Sequence, residues 1–180
     1  ALSKTKFLFA GRLQPEKGVE LLLSVIDVLD KKGIKIQVDI IGLGELREKC
    51  EQYAIQERNN VEYNLLDPVP YGKQFFELVM GYHCILVPST SDEQPRIVFD
   101  AYSQGVPVIA SDTDGLRPHV TEDTGWLVKP GNLSAWVNTV INASENSEAL
   151  ERRGLKSYEL AGSSTHREMH RKRSSVLAKF

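Results

Sequence analysis

Short apolar runs that stop abruptly at glycine or proline, each followed by a stretch with helical spacing, constrain this chain more than any other feature. KFLFA over 6–10 halts at Gly11, and apolar residues then recur at 19, 22, 25, 26 and 29 before Gly33. KIQVDII over 35–41 halts at Gly42-Leu43-Gly44 and precedes a charged helix predicted over 45–58. The pattern continues with a strand over 61–65, a helix over 73–80, and CILV over 84–87 closed by Pro88-Ser89. A short helix over 97–103, VPVIA over 106–110, a strand over 126–128 and a helix over 133–141 complete it. Runs that are apolar at every position suit strands buried on both faces, and their alternation with helices demands the crossover connections of a parallel sheet. The sequence therefore predicts an α/β fold: a doubly wound, mainly parallel six-stranded sheet forming one Rossmann-like unit over 1–144. Two terminal helices, over 148–160 and 165–178 and split by Ala161-Gly162-Ser163-Ser164, fill out 145–180. They pack on that unit or on a further domain.

At 180 residues the chain has room for one domain of this kind and can bury a core without disulfides or metals. Its net charge of −2 gives no reason to expect a nucleic-acid partner. The charge is uneven: 164–180 carries Arg167, Arg171, Lys172, Arg173 and Lys179 against Glu168 alone. Such a tail suits a solvated helix face, an anionic membrane surface or an acidic partner. Cys50 and Cys84 form no CxxC pair and fit a reducing compartment. No apolar stretch approaches 18 residues, and 1–6 lacks a signal-peptide core, so a cytoplasmic protein is expected.

In doubly wound sheets ligands sit beyond the carboxyl ends of the strands, so the residues found there are the candidate site. After the first strand comes Gly11-Arg12-Leu13-Gln14-Pro15-Glu16-Lys17-Gly18. Glycine lets the backbone approach a ligand, the next helix offers free N–H groups, and Arg12 and Lys17 add two cations. That set suits a diphosphate; a plain turn with two solvated basic residues explains it as well. Gly42-Leu43-Gly44 begins a dinucleotide fingerprint, but the third glycine position is Arg47 and no acid ends the next strand. Close backbone passage is the reading left for it.

The richest segment runs PSTSDEQPRIVFDAYSQGVPVIAS over 88–111. A helix beginning near Pro95 would aim its first amides, around Arg96 and Ile97, at the space beside Arg12 and Lys17. The dipole at a helix start accounts for Asp92 and Glu93 without a ligand. It does not account for Asp100 among Ile97, Val98, Phe99 and Ala101, where an unpaired charge is costly. Among the histidines, His83 opens a strand and is expected in the core.

Taken in order, GRLQPEKG, GLG, PS, DEQPRIVFDAYSQGVPVIAS and TGWLVKPGN resemble the carboxyl-terminal, donor-binding half of GT-B glycosyltransferases of the retaining family 4 type, collinear over 5–133. The chain departs from that pattern in three places. Both acids of the usual Glu pair are Asp92 and Asp100, and the usual glycine between them is Glu93. Asp114-Gly115-Leu116-Arg117-Pro118 replaces a Gly-Gly-x-x-Glu element, and the third strand lacks a glycine near Leu65.

The resemblance implies that Arg12 and Lys17 neutralise a donor diphosphate, helped by the amides of Arg96 and Ile97. Asp100 would hold the ribose, Asp92 the transferred sugar, and the backbone at Leu65, Leu66 and Asp67 the base. Gly11, Gly42, Gly44, Glu93, Gln94 and Pro95 would complete the donor site. It implies a metal-free site, no cofactor, and a nucleotide sugar as substrate, UDP-glucose being the expected one. A hexose would pass to a glycan or lipid-linked acceptor in polysaccharide synthesis, at the inner face of the membrane. An acceptor-binding N-terminal domain would be missing, leaving a fragment with little transfer activity alone. A nucleotide-sugar epimerase half and a non-catalytic nucleotide-binding module are the alternatives.

Overall fold

The computed structural model describes residues 4–92 and 96–163. Six strands form a single sheet in the order β3-β2-β1-β4-β5-β6. They are β1 (Thr5–Ala10), β2 (Ile36–Ile41), β3 (Val61–Leu66), β4 (Cys84–Val87), β5 (Val108–Ser111) and β6 (Gly125–Val128). All five pairings are parallel, so the sheet is wholly rather than mainly parallel. The helices are α1 (Val19–Lys31), α2 (Arg47–Ala54), α3 (Lys73–Met80), α4 (Arg96–Ser103), α5 (Leu133–Glu145) and α6 (Ser147–Ser163).

Side chains of a strand alternate between faces, and the two cores divide on that rule. Phe7, Phe9, Cys84 and Leu86 join α1, α2 and α5 on one face. Leu8, Ile85 and Val87 join α3 and α4 on the other. Having built outward from β1 to β3, the chain returns to place β4 on the other side of β1, which opens a crevice at the carboxyl ends of β1 and β4.

Among the described residues, one acidic side chain is sealed into the second core. Asp39 on β2 is only 3% exposed, and its carboxylate accepts from Gln37 Nε2 (2.8 Å), Asn64 Nδ2 (2.8 Å) and Tyr82 Oη (2.5 Å). Three neutral donors meet the requirement that a buried charge be hydrogen-bonded.

Several element limits differ from those predicted. α2 stops at Ala54 instead of reaching residue 58, because Arg58 folds back to donate to the Tyr53 carbonyl at 2.8 Å and lies over the Tyr53 ring. β5 begins at Val108, since Pro107 has no N–H for the ladder and contributes only its carbonyl, to Ile85 N at 3.0 Å. α5 extends to Glu145, and α6 passes through Ala161-Gly162 to Ser163 without the expected break there. The helix expected over 165–178 lies outside the described residues. His83 is exposed rather than in the core, and its Nδ1 accepts from the Lys6 amide at 2.9 Å. Among the described residues, no helix is long and apolar enough to cross a membrane.

α6 packs on α4 and meets the turn that follows it through bare backbone. A Cβ on Gly154 would come within 2.4 Å of the Gly105 carbonyl oxygen. Ser157 Oγ, fully buried, donates to the Thr124 carbonyl (3.2 Å), and Arg153 Nε donates to that of Gly125 (3.2 Å). Gly154→Val should therefore lose about 1–3 kcal/mol by forcing the two elements apart. Gly162→Ala, with nothing within 4 Å of the added carbon, should gain about 0.5–1 kcal/mol of helix propensity. Urea unfolding of both variants checks the opposite signs; equal effects would refute the contact argument.

Candidate functional site

A cleft of about 540 Å³ occupies the crevice that the topology creates. Gly11 and Arg12 line it from the end of β1, Gly42 and Leu43 from the end of β2, and Lys17 from the turn before α1. Val69 and Tyr71 close it from the β3–α3 connection, and Arg96, Ile97 and Asp100 from the first turns of α4.

The floor depends on backbones that almost touch. A Cβ on Gly42 would lie 1.9 Å from the Gly11 carbonyl oxygen, and one on Gly44 would lie 2.4 Å from that of Leu13. The two turns are laced by Gly11 N to Ile41 O (3.1 Å), Leu13 N to Leu43 O (2.9 Å) and Leu46 N to Leu13 O (2.9 Å). Gly18, with φ at +74°, starts α1 so close to the end of β4 that a Cβ would meet the Pro88 carbonyl oxygen at 1.9 Å. Thr90 N donates to Glu16 O at 2.9 Å, tying the segment that leads to α4 to the turn carrying Lys17.

The structure thus brings together Gly11, Arg12, Lys17, Gly42, Arg96, Ile97 and Asp100. Gly44, Leu65, Leu66 and Asp92 do not line the cleft. Gly44 serves the close passage of backbone, while Leu65 and Leu66 pack on the two cores. Asp92 is exposed and accepts from the Gly115 amide at 3.2 Å, facing the loop after β5 instead of the cleft. That loop is itself drawn together by Arg117, which donates to Asp112 (2.6 Å) and Asp114 (2.8 Å). Glu93, Gln94 and Pro95 lie outside the described residues. Among the described residues, no three His, Cys, Asp or Glu side chains converge as a metal site.

Asp100 is half-buried, as its apolar neighbours in sequence require. Tyr71 Oη donates to its Oδ1 at 2.8 Å, and the Arg96 guanidinium stands 4.8 Å from the centre of the Tyr71 ring. Burial pushes the Asp100 carboxyl above its ordinary value, outweighing the Tyr71 hydrogen bond and the Arg96 charge, which act in the opposite direction.

Two contributors escape a reading of motifs. Arg47, the residue at the missing third glycine, is a brace: its guanidinium donates to the carbonyls of Gly42 (3.0 Å) and Leu66 (3.2 Å) and to Asp67 (3.3 Å). Tyr71 is the other, together with the apolar wall of Pro68, Val69 and Phe75. The proline-bracketed DPVPYG turn over 67–72 was the available signal, since it forces the chain out of β3 and leaves an aromatic side chain at its tip.

A glycine-lined crevice at a topological switch point, edged by cations and a helix start, defines a doubly wound α/β domain with its candidate ligand site at the carboxyl ends of the strands. The family model described as "Glycosyl transferases group 1" matches residues 1–159, and the chain belongs to that family. It is 28% identical over 160 residues to the D-inositol 3-phosphate glycosyltransferase of Corynebacterium glutamicum, covering 81% of this chain and 36% of that protein. The Anabaena protein HepE in complex with UDP and glucose superposes with a TM-score of 0.77 at 18% identity, over 98% of this chain and 49% of that one. The C-terminal domain of LpcC from Francisella tularensis superposes with a TM-score of 0.73 at 16% identity, over 89% and 85%. These structural likenesses show the shared fold. The chain spans between a third and two fifths of the length of the first curated relatives it matches.

The raised Asp100 carboxyl means that the folded chain holds this proton more tightly than the unfolded chain does. Its contribution to stability is full below the unfolded value, about 3.9, and is lost as pH rises through the folded one. The Asp100 carbon-13 carboxyl signal should titrate above that ordinary value, and higher still in Tyr71→Phe, which removes a donor to the ionised form. A midpoint at or below the ordinary value would contradict the burial argument.

Proposed function

We propose that this chain is the donor-binding part of a retaining glycosyltransferase that uses a nucleotide sugar, with UDP-glucose the best candidate. The observation that supports it is the meeting of Arg12, Lys17, the start of α4 and Asp100 in one cleft at the carboxyl ends of β1 and β2. A nucleoside diphosphate has two kinds of demand, anionic oxygens and a ribose diol, and the two sides of the cleft answer them separately. Arg12 offers a planar fork and Lys17 a point charge, while the amides of Arg96 and Ile97 lie at the positive end of α4. Asp100, set one turn further along, accepts hydrogen bonds from the ribose hydroxyls. HepE, a protein of the same fold, is held in complex with UDP and glucose.

The chemistry that follows is electrostatic. As the bond between sugar and diphosphate breaks, negative charge gathers on the leaving phosphate oxygens. Cations and amides already in place stabilise that charge without having to reorganise. This role needs no cofactor, and we assign none. Asp92 would serve the transferred sugar, for which it must leave the Gly115 amide. The acceptor, a glycan or lipid-linked sugar in polysaccharide synthesis, would be bound by a further domain. Because the chain spans only part of its relatives' length, we infer that it binds donor and transfers poorly by itself.

Calorimetric titration with UDP tests the cation pair. Lys17→Ala should weaken binding by roughly 1.5–3 kcal/mol, about ten- to a hundredfold, the scale of a charge-assisted hydrogen bond. Unchanged affinity in both Lys17→Ala and Arg12→Ala would overturn the phosphate assignment. The same titration in EDTA should give the same affinity, because the charges on the protein take the place of a bridging ion. A tenfold loss restored by Mg²⁺ or Mn²⁺ would overturn the metal-free reading.

A further inference from the structure

Tyr71 is 59% exposed, yet both ends of its side chain are engaged. Its hydroxyl donates to Asp100, and its ring faces the Arg96 guanidinium on one side of the cleft while touching Phe75 and Phe76 at centroid distances of 5.7 and 5.5 Å on the other. An exposed tyrosine can leave its hydroxyl in water at no cost. Here it is spent on a half-buried carboxylate, in a bond that crosses the cleft from the β3–α3 connection to α4. At the tip of that connection, a Cβ on Gly72, beside Tyr71, would meet nothing within 4 Å.

We propose that Tyr71 is a built-in competitor for Asp100, an autoinhibitory strap that a nucleotide must displace. The inference rests on the reading above, in which Asp100 takes the ribose diol. A diol presents two donors to the two oxygens of one carboxylate, and Tyr71 Oη stands on Oδ1. Half-burial leaves that carboxylate fewer open directions than the roughly four acceptor positions it has in water. Ribose and tyrosine therefore contend for the same atom. When the competent form is only a fraction of the population, the apparent affinity falls by that fraction. Inorganic diphosphate carries no ribose, so the strap does not resist it.

The test is calorimetry on the whole chain and on Tyr71→Phe, with UDP and with inorganic diphosphate. Phenylalanine keeps the ring, its aromatic neighbours and the face turned to Arg96, and removes the hydroxyl, with its hydrogen bond to Asp100 and its contact to Arg96. UDP should bind about tenfold tighter to Tyr71→Phe, the low end for a hydrogen bond to a charged group. Diphosphate should bind both proteins equally. In the Asp100→Asn background the gain from Tyr71→Phe should shrink markedly, since the two side chains then have little to contend for. UDP binding that is unchanged or weaker in Tyr71→Phe would overturn the strap while leaving the nucleotide reading in place. UDP binding to neither protein, with both folded by circular dichroism, would remove the nucleotide reading and the strap with it.

Discussion

Everything in the cleft depends on three places where one backbone comes against another with no side chain between them. Gly42 sits on the carbonyl of Gly11, Gly44 on that of Leu13, and Gly18 on that of Pro88. A single methyl at any of them would collide with a carbonyl oxygen, and backbone oxygens cannot swing aside as a side chain does. The first two contacts bring the β2 turn down onto the β1 turn. The third draws the end of β4 to the beginning of α1. Arg12, Lys17 and the α4 residues come from distant parts of the sequence, and they share one opening because these approaches set the distances between the loops that carry them.

Asp100 shows how charge is managed on that frame. A carboxylate half out of water loses hydration, and the protein answers with a tyrosine hydroxyl and a nearby guanidinium rather than a full ion pair. Among the described side chains, Tyr71 is the one hydrogen-bond donor to this carboxylate. Arg47 shows the opposite arrangement. Its guanidinium is committed to two carbonyls and to the carboxylates of Glu51 and Asp67, and it holds the β2 and β3 turns together instead of waiting for a ligand.

The fold was legible in the sequence because its signal is periodic and repeated. Apolar runs such as KFLFA and CILV have no polar face to misplace, and their glycine and Pro-Ser stops mark the strand ends that matter. Part of the site was legible too: Arg12, Lys17, Arg96 and Asp100 announce themselves as charge next to a turn or within an apolar helix. Tyr71 and Arg47 did not, for a physical reason. Their roles rest on contacts to residues 29 and 19 positions away in the chain, which no local pattern encodes. The partner of Asp92 was illegible for a similar reason, since the Gly115 amide it accepts from belongs to a different crossover.

The sealed carboxylate of Asp39 bears on how such a sheet can come together. Its three donors arrive from β2 itself, from β3 and, through Tyr82, from the approach to β4. The last of these lies beyond the point where the chain reverses direction across the sheet. A sheet of β1, β2 and β3 alone would leave this carboxylate to water on the uncovered face; the elements that exclude the water, Tyr82 and the residues of α3 and α4, also bring the third donor. One buried carboxylate thereby ties the two sides of the sheet together across the point where the crevice opens.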